Sequence, residues 1–182
     1  MTASPPSPTP RRATDADAHA PVAYLLIGLT GSGKTTYSRR LEAAGVLRLS
    51  VDEEVFARNG RYGVDYPDHE YPERERPVVH EIRQRLVEAI RAGRSVVLDY
   101  GLWRRAEREA YKQLVEDAGG RWRLVYLKVD RAELLRRLGE RNQRADANAL
   151  TVTPEMLDEF YARFDEPSGE GEEIVTPDPA SR

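Results

Sequence analysis

Short apolar runs alternate along the chain with longer stretches in which apolar residues recur every three or four positions. Residues 22–27 (VAYLLI), 46–51 (VLRLSV), 95–99 (SVVLD) and 121–129 (RWRLVYLKV) have the length and near-continuous apolarity of buried strands, and 172–175 (EEIV) supplies an edge strand. Helical spacing lies between them. It covers 35–44, closed by Gly45. It returns at Val79, Ile82, Leu86 and Ala89/Ile90, opened by Pro77 and closed by Gly93. Trp103, Ala106, Ala110, Tyr111, Leu114 and Val115 set a third face, ended by Gly119 and Gly120. Asp130 caps a helix carrying Leu134, Leu135 and Leu138, and Thr153-Pro154 opens a last one burying Met156, Leu157, Phe160 and Phe164. Strands alternating with helices predict an α/β fold, a parallel sheet sandwiched between helices in three layers.

The ends of the chain lack this pattern. Residues 1–20, rich in Pro, Ser, Thr and Ala, cannot bury enough surface to offset ordering, so a disordered tail is expected there and a frayed end at 177–182. The rest, 21–176, reads as one domain. With 182 residues and 40% hydrophobic content it can build a substantial core. A net charge of −3 gives no global bias toward nucleic acid or membrane, and the absence of Cys excludes disulfides and thiolate chemistry. The first apolar run is too short for a signal core or a membrane span, so a cytoplasmic location without membrane partners is expected.

Between the first strand and first helix stands Gly28-Leu29-Thr30-Gly31-Ser32-Gly33-Lys34-Thr35, which fits the phosphate-loop pattern G-x-x-x-x-G-K-[ST] without substitution. Glycines let such a loop turn its N–H groups onto a polyphosphate. Gly28, Thr30, Gly31, Ser32, Gly33, Lys34, Thr35 and the following Thr36 are therefore the expected nucleotide contacts. Lys34 would reach the β- and γ-phosphates, and the Thr35 hydroxyl would bind Mg²⁺.

Two carboxylates end predicted strands, where ligands bind in open parallel sheets. Asp52 is either the base that takes a proton from an acceptor hydroxyl or the cap of the next helix. Asp99 is either a second Mg²⁺-site acid or part of a plain turn, Asp99-Tyr100-Gly101. Residues 59–76 form a long irregular segment holding Tyr62, Tyr66 and Tyr71. It reads as a substrate-side lid, with Arg58, Arg61 or Arg74 available for charge, or as a loop packed on itself. Arg104, Arg105 and Arg108 break the helix-dipole rule at a helix start, a hint of anion binding, so Arg104 and Arg108 join the candidate substrate contacts. Arg137, Arg141 and Arg144 fall at i, i+4, i+7 on one helix, either a solvated face or a lid over the nucleotide spanning about 137–153.

The succession GLTGSGKT, LSVDE, VVLDYGLWRRAER and ELLRRLGERNQR, over roughly residues 22–175, resembles the small phosphate-loop kinases grouped with zeta toxin, chloramphenicol phosphotransferase and the kinase half of polynucleotide kinase. The resemblance implies a P-loop NTPase sandwich with a five-stranded kinase-type sheet and transfer of the ATP γ-phosphate to a hydroxyl. It also implies roles for Lys34, Thr35, Asp52 and Asp99 as above, with Arg137 and Arg141 as the lid arginines. Arg108 matches the arginine after the third strand. A GTPase is disfavoured: Asp99 is followed by Tyr-Gly-Leu, and Leu127 stands where a guanine-reading Asn or Thr would. The expectation is a kinase using ATP and Mg²⁺ on an unidentified hydroxyl-bearing small molecule or nucleotide-like acceptor. A polynucleotide 5′-hydroxyl kinase and a non-catalytic ATP-binding module are the alternatives.

Overall fold

The computed structural model describes residues 20–143 and 152–176. The expected tail, the frayed end and the tip of the expected lid, Arg144 included, lie outside the described residues.

The elements in chain order are β1 (Val22–Ile27), α1 (Lys34–Ala43), β2 (Leu47–Ser50), α2 (Val51–Asn59) and a short 3₁₀ turn, Asp68–Glu70. There follow α3 (Tyr71–Arg91), β3 (Val96–Asp99), α4 (Arg105–Asp117), β4 (Arg121–Leu127), α5 (Arg131–Arg141), α6 (Pro154–Arg163) and β5 (Glu172–Val175). All strand pairs are parallel and the sheet runs β2-β3-β1-β4-β5. This is the α/β phosphate-loop kinase fold: five parallel strands with helices on both faces.

Strand alternation divides the core. Leu25, Leu98 and Leu124 pack against Ile82, Leu86 and Val115 on the α3 and α4 side. Leu26, Val97 and Val125 face Tyr37 and Leu41 of α1. Each of these fully hidden aliphatic side chains contributes about 1.5–3 kcal/mol of burial. A third cluster, Leu29, Leu134, Leu138, Val152, Leu157 and Phe160, seats α5 and α6 on the phosphate loop itself. None of the described helices is long and apolar enough to cross a membrane.

Two expectations change. Only residues 60–67 and the 3₁₀ turn remain irregular in the expected lid, because α3 starts at Tyr71 and leaves Pro77 inside the helix. Pro72 sits in the first turn, where its missing N–H costs nothing. The interior Pro77 costs about 3 kcal/mol. The stripe Val78, Ile82, Leu86, Ala89 and Ile90, buried along one side of a 21-residue helix, outweighs it. On α4 the buried face is Arg108, Tyr111, Lys112 and Val115, whereas Ala106 and Ala110 are exposed. Two basic side chains take core positions there because each meets a polar partner inside.

Candidate functional site

The site is assembled where β1, β2 and β3 end. The loop after β1 needs its glycines: Gly28 (φ +150°), Gly31 (φ +86°) and Gly33 (φ +98°) all have positive φ. A Cβ at Gly28 would stand 2.4 Å from the Ser32 hydroxyl, and one at Gly31 would press on Leu138 at 3.2 Å. Gly33 is the N-cap of α1; no side chain caps that helix and no acid sits in its first turn, which leaves its leading N–H groups and positive dipole end open to an anion. Buried Ser32 Oγ has no hydrogen-bond partner among the described residues. A glycine-built cradle, an uncapped helix start and a lysine at its rim fit a nucleotide polyphosphate.

Lys34 Nζ donates to the carbonyls of Gly28 (2.8 Å) and Leu29 (3.0 Å). Burial pulls its pKa below the usual lysine value, while the Asp99 and Asp52 charges push the other way. Thr35 follows at the start of α1, half-buried, with Thr36 exposed beside it and Thr30 half-exposed in the loop.

Asp99 ends β3 and is buried. Ser38 Oγ lies 2.9 Å from its Oδ2, and Arg48 Nη2 donates to the same oxygen at 2.6 Å. Arg48 also donates from Nε to Ser38 Oγ (2.7 Å) and bridges to both oxygens of Glu53 (2.8 and 2.9 Å). The register explains the meeting: Ser50 of β2 pairs with Asp99, so Arg48, two residues back, shares the face of Asp99. Sequence reading took Arg48 for an ordinary strand residue. The alternation Leu47, Arg48, Leu49, Ser50 was the available signal, a polar face on a strand otherwise read as buried.

Asp52 lies in the first turn of α2. The cap of that helix is Ser50, whose side chain accepts from Glu53 N at 3.4 Å, so the capping alternative for Asp52 falls away. Solvent reaches the Asp52 carboxylate, yet the surrounding chain crowds it enough to raise its pKa. The Lys34 charge and a hydrogen bond from Tyr71 (Oη to Oδ1, 3.1 Å) oppose that rise, and Arg141 adds to the opposition. Burial and the nearby Asp52 charge hold the Tyr71 phenol far above its ordinary pKa, so it stays a donor.

The other candidates divide. Arg141 is near enough to Lys34 and Asp52 to act on both charges. Arg137 turns back along α5 to Glu133 (2.6 Å). Tyr62 is brought edge-on to Tyr71, with centroids 5.3 Å apart, beside Asp52. Tyr66 is buried under the Arg74 guanidinium (4.6 Å), and Arg58, Arg61 and Arg74 are taken up by neighbouring acids. Arg108 is not brought to the cleft. It is fully buried, with Nε and Nη2 on Glu170 at 2.7 Å each and Nη1 on the carbonyls of Leu102 and Trp103, so the substrate role expected of it does not hold. Arg104 is exposed. The anion at that helix start is the chain's own Asp165, which accepts from Arg105 N (3.1 Å) and Arg104 Nη1 (3.4 Å).

Sequence reading missed Glu75 and Tyr100. Glu75 lies one turn beyond Tyr71 on α3, and Tyr100 directly follows Asp99. Burial first, then the Asp52 charge, pushes Glu75 up to about 7. The pair Tyr71 and Glu75 has i, i+4 spacing, legible once Pro72 rather than Pro77 is taken as the helix start. A separate cleft of roughly 500 Å³ between α4 and Trp122 includes no residue of the phosphate loop.

Residues 24–167 match the family described as an AAA domain. Solved structures share the fold at low identity. A candidate kinase from Chloroflexus aurantiacus J-10-fl aligns with TM-score 0.68 and 18% identity, covering 86% of this chain and 87% of its own. A gluconokinase from Sinorhizobium meliloti 1021 aligns with TM-score 0.56 and 20% identity over 90% and 86%. The Mycobacterium tuberculosis APS kinase CysC, solved with AMPPNP and APS, aligns with TM-score 0.55 and 15% identity over 87% and 90%. No curated protein matches the sequence.

Proposed function

The chain belongs to this AAA domain family, and on that premise we propose that it is an ATP-dependent kinase that phosphorylates a hydroxyl of a small-molecule acceptor. One observation carries the reading: the loop lysine and the Asp52 carboxylate, at the starts of the helices that follow β1 and β2 on either side of β3, stand close enough to act on each other's charge. A phosphate cradle alone would serve a binding module. A solvent-reached carboxylate beside it serves transfer.

In the step, the acceptor oxygen forms a bond to the γ-phosphorus of ATP as the bond from that phosphorus to the β,γ-bridging oxygen breaks, and ADP departs with the bridging oxygen. The hydroxyl proton passes to Asp52, whose raised pKa suits it to receive one. Lys34 leaves its loop carbonyls for the phosphate oxygens, and Arg141 adds charge stabilisation. Mg²⁺ would be held by the Thr35 hydroxyl together with phosphate oxygens, with Asp99 beside it, and would neutralise phosphate charge. Among the described residues no cluster of three metal-ligating side chains exists, which suits a metal that arrives with its nucleotide.

The test is Asp52→Asn. Acceptor-dependent ADP release should fall by about 10²–10⁴-fold while Mg·ATP affinity stays within a few-fold. Full activity in the variant would remove Asp52 from the mechanism, and ATP binding without turnover on any acceptor would favour the binding-module reading.

A further inference from the structure

Residues 60–67, between α2 and the 3₁₀ turn, are tied together by their own polar groups. Asp65 N donates to the Arg61 carbonyl (2.8 Å), Gly63 N donates to the Tyr66 carbonyl (3.1 Å), and the Asp65 carboxylate accepts from Arg61 N at 2.6 Å. A backbone bridge pairs Tyr62 with Tyr66. The loop is thereby packed on itself.

What it carries is a row of aromatic rings that ends on Asp52. Buried Tyr66 lies under the Arg74 guanidinium (4.6 Å), which Asn59 Oδ1 (3.0 Å) and Glu70 hold in place. Tyr62 stands edge-on to Tyr66, with centroids 6.2 Å apart, and edge-on to Tyr71 at 5.3 Å. Tyr71 then donates from its hydroxyl to Asp52 Oδ1 at 3.1 Å. Every link is a measured contact, from an arginine of α3 to the carboxylate at the start of α2.

The last link bears on catalysis. A base must stand within about 2.6–3.2 Å of the proton it takes, and an exposed aspartate turns about both of its side-chain torsions. A donor fixed on one oxygen removes that freedom and leaves the other oxygen to the acceptor. Resting on the kinase reading and adding to it, we infer that Tyr71 is the positioning residue for Asp52: the row Tyr66, Tyr62 and Tyr71 fixes the hydroxyl that holds Oδ1, so that Oδ2 is presented to the acceptor. The 60–67 loop is then a scaffold for the base, and Tyr62 and Tyr66 act through Tyr71.

The test is Tyr71→Phe, which deletes the hydroxyl and keeps the ring. The other groups acting on Asp52 are Lys34 of α1, Asp99 of β3, Arg141 of α5 and Glu75 of α3, with the Tyr66 and Tyr100 phenols. Tyr71 also acts on Glu75, so the titration is compared in a Glu75→Gln background. Carbon-13 NMR of the aspartate carboxyls follows it, the Asp52 signal being the one lost in Asp52→Asn. A hydrogen bond to the ionised form favours that form, so its removal should move the Asp52 midpoint upward.

Turnover gives the second readout, as ADP release from Mg·ATP with glycerol, gluconate and adenosine as hydroxyl probes. In Tyr71→Phe, kcat should fall about tenfold with KM for Mg·ATP within a few-fold, the low end of what a hydrogen bond to a charged group contributes. The acidic limb of the kcat profile should move upward with the midpoint. Tyr62→Ala removes the middle ring and should lower kcat by a smaller factor, most of which Tyr62→Phe recovers. Undiminished Mg·AMPPNP affinity shows that the variants are folded. An Asp52 midpoint unmoved by Tyr71→Phe, or equal losses in Tyr62→Ala and Tyr62→Phe, overturns the inference. A shifted midpoint with kcat unchanged also overturns it and leaves the kinase reading intact. A shifted midpoint with no ADP released by wild type on any probe supports the hold of Tyr71 on Asp52 and counts against the kinase.

Discussion

Two arginine–carboxylate pairs are hidden among the described residues, and they sit on opposite sides of the line between function and scaffold. Arg48 and Asp99, 6% and 5% exposed in their side chains, meet at the strand ends beside the phosphate loop. Arg108 and Glu170, 0% and 2% exposed, meet where α4 packs on the segment leading into β5. The chemistry is the same and the surroundings are not. Arg48 is shared among Asp99, Glu53 and Ser38, one hydrogen-bond step from the helix carrying Thr35. Arg108 places its four hydrogen bonds on Glu170 and on the Leu102 and Trp103 carbonyls, all inside the packed scaffold. A cation near a strand end is therefore not yet a ligand for phosphate; each arginine makes four hydrogen bonds, and what separates them is whether their partners lie beside the phosphate loop or in the packed scaffold.

The largest effect expected from breaking this contrast is on stability. Glu170→Ala strands the Arg108 guanidinium in the core without a counter-charge, at a cost of about 3–5 kcal/mol. Lys112, whose Nζ donates to the Glu170 carbonyl, keeps that bond, since the backbone is unchanged. Urea denaturation should show the loss, while Mg·ATP affinity per folded molecule stays within about twofold. An equal collapse of nucleotide affinity would erase the distinction between the pairs.

Arg48→Met comes next, at about 2–3 kcal/mol, because Asp99 loses its counter-charge but keeps the Ser38 hydroxyl. Here the loss should not be confined to stability. Without Arg48 the Asp99 carboxylate loses the guanidinium that holds its Oδ2 beside the phosphate loop, so kcat should fall along with the denaturation midpoint. Wild-type kcat in a destabilised Arg48→Met would assign this pair to the scaffold as well.

The phosphate half of the cleft was legible because its chemistry is local. Eight contiguous residues make the loop, and the strand before it and helix after it announce themselves by apolar spacing. Asp52 and Asp99 were legible as strand-end acids. The arginine pairs were not, since their partners stand 51 and 62 residues away and only the sheet register or the α4 packing brings them together. Arg108 misled for the same reason: a base at a helix start signals an anion nearby, and the anions turned out to be Glu170 and Asp165 of the same chain. The five strands and the edge position of Glu172–Val175 were readable from pattern alone. The start of α3 was not, because two prolines compete for the first-turn position and only the buried stripe decides between them.

A carboxylate with no arginine sharpens the comparison from the other side. Burial raises Glu75 to about 7, against an ordinary value of 4.5. Its native form therefore favours the proton. The stabilisation is fully present below the ordinary carboxylate value and is lost as pH rises from about 4.5 through about 7. Glu75→Gln removes that loss. The variant should match wild type at pH 4 and exceed it at pH 8 by about 1–2 kcal/mol, part of the shift being screened because solvent reaches the group. Denaturation midpoints of both proteins across this range give the difference directly; a flat difference would mean that Glu75 titrates in the native state as it does in the unfolded chain.

The smallest effect belongs to a pair with the same atoms at the surface. Arg123 Nε donates to Glu173 at 2.8 Å across β4 and β5, both side chains about half exposed. The register sets Glu173 opposite Val125, so the pair is a diagonal cross-strand contact on the edge of the sheet. Glu173 is held below its ordinary pKa by that hydrogen bond, yet water competes for every donor involved. A double-mutant cycle on Arg123→Ala and Glu173→Ala should return a coupling of only about 0.2–1 kcal/mol, falling toward zero near 1 M salt. Burial, not the geometry of the bridge, would then account for the whole ranking from Glu170 to Glu173. A coupling here as large as the cost of Glu170→Ala would overturn it, since it would place the energy in the hydrogen bonds themselves and not in the removal of charge from water.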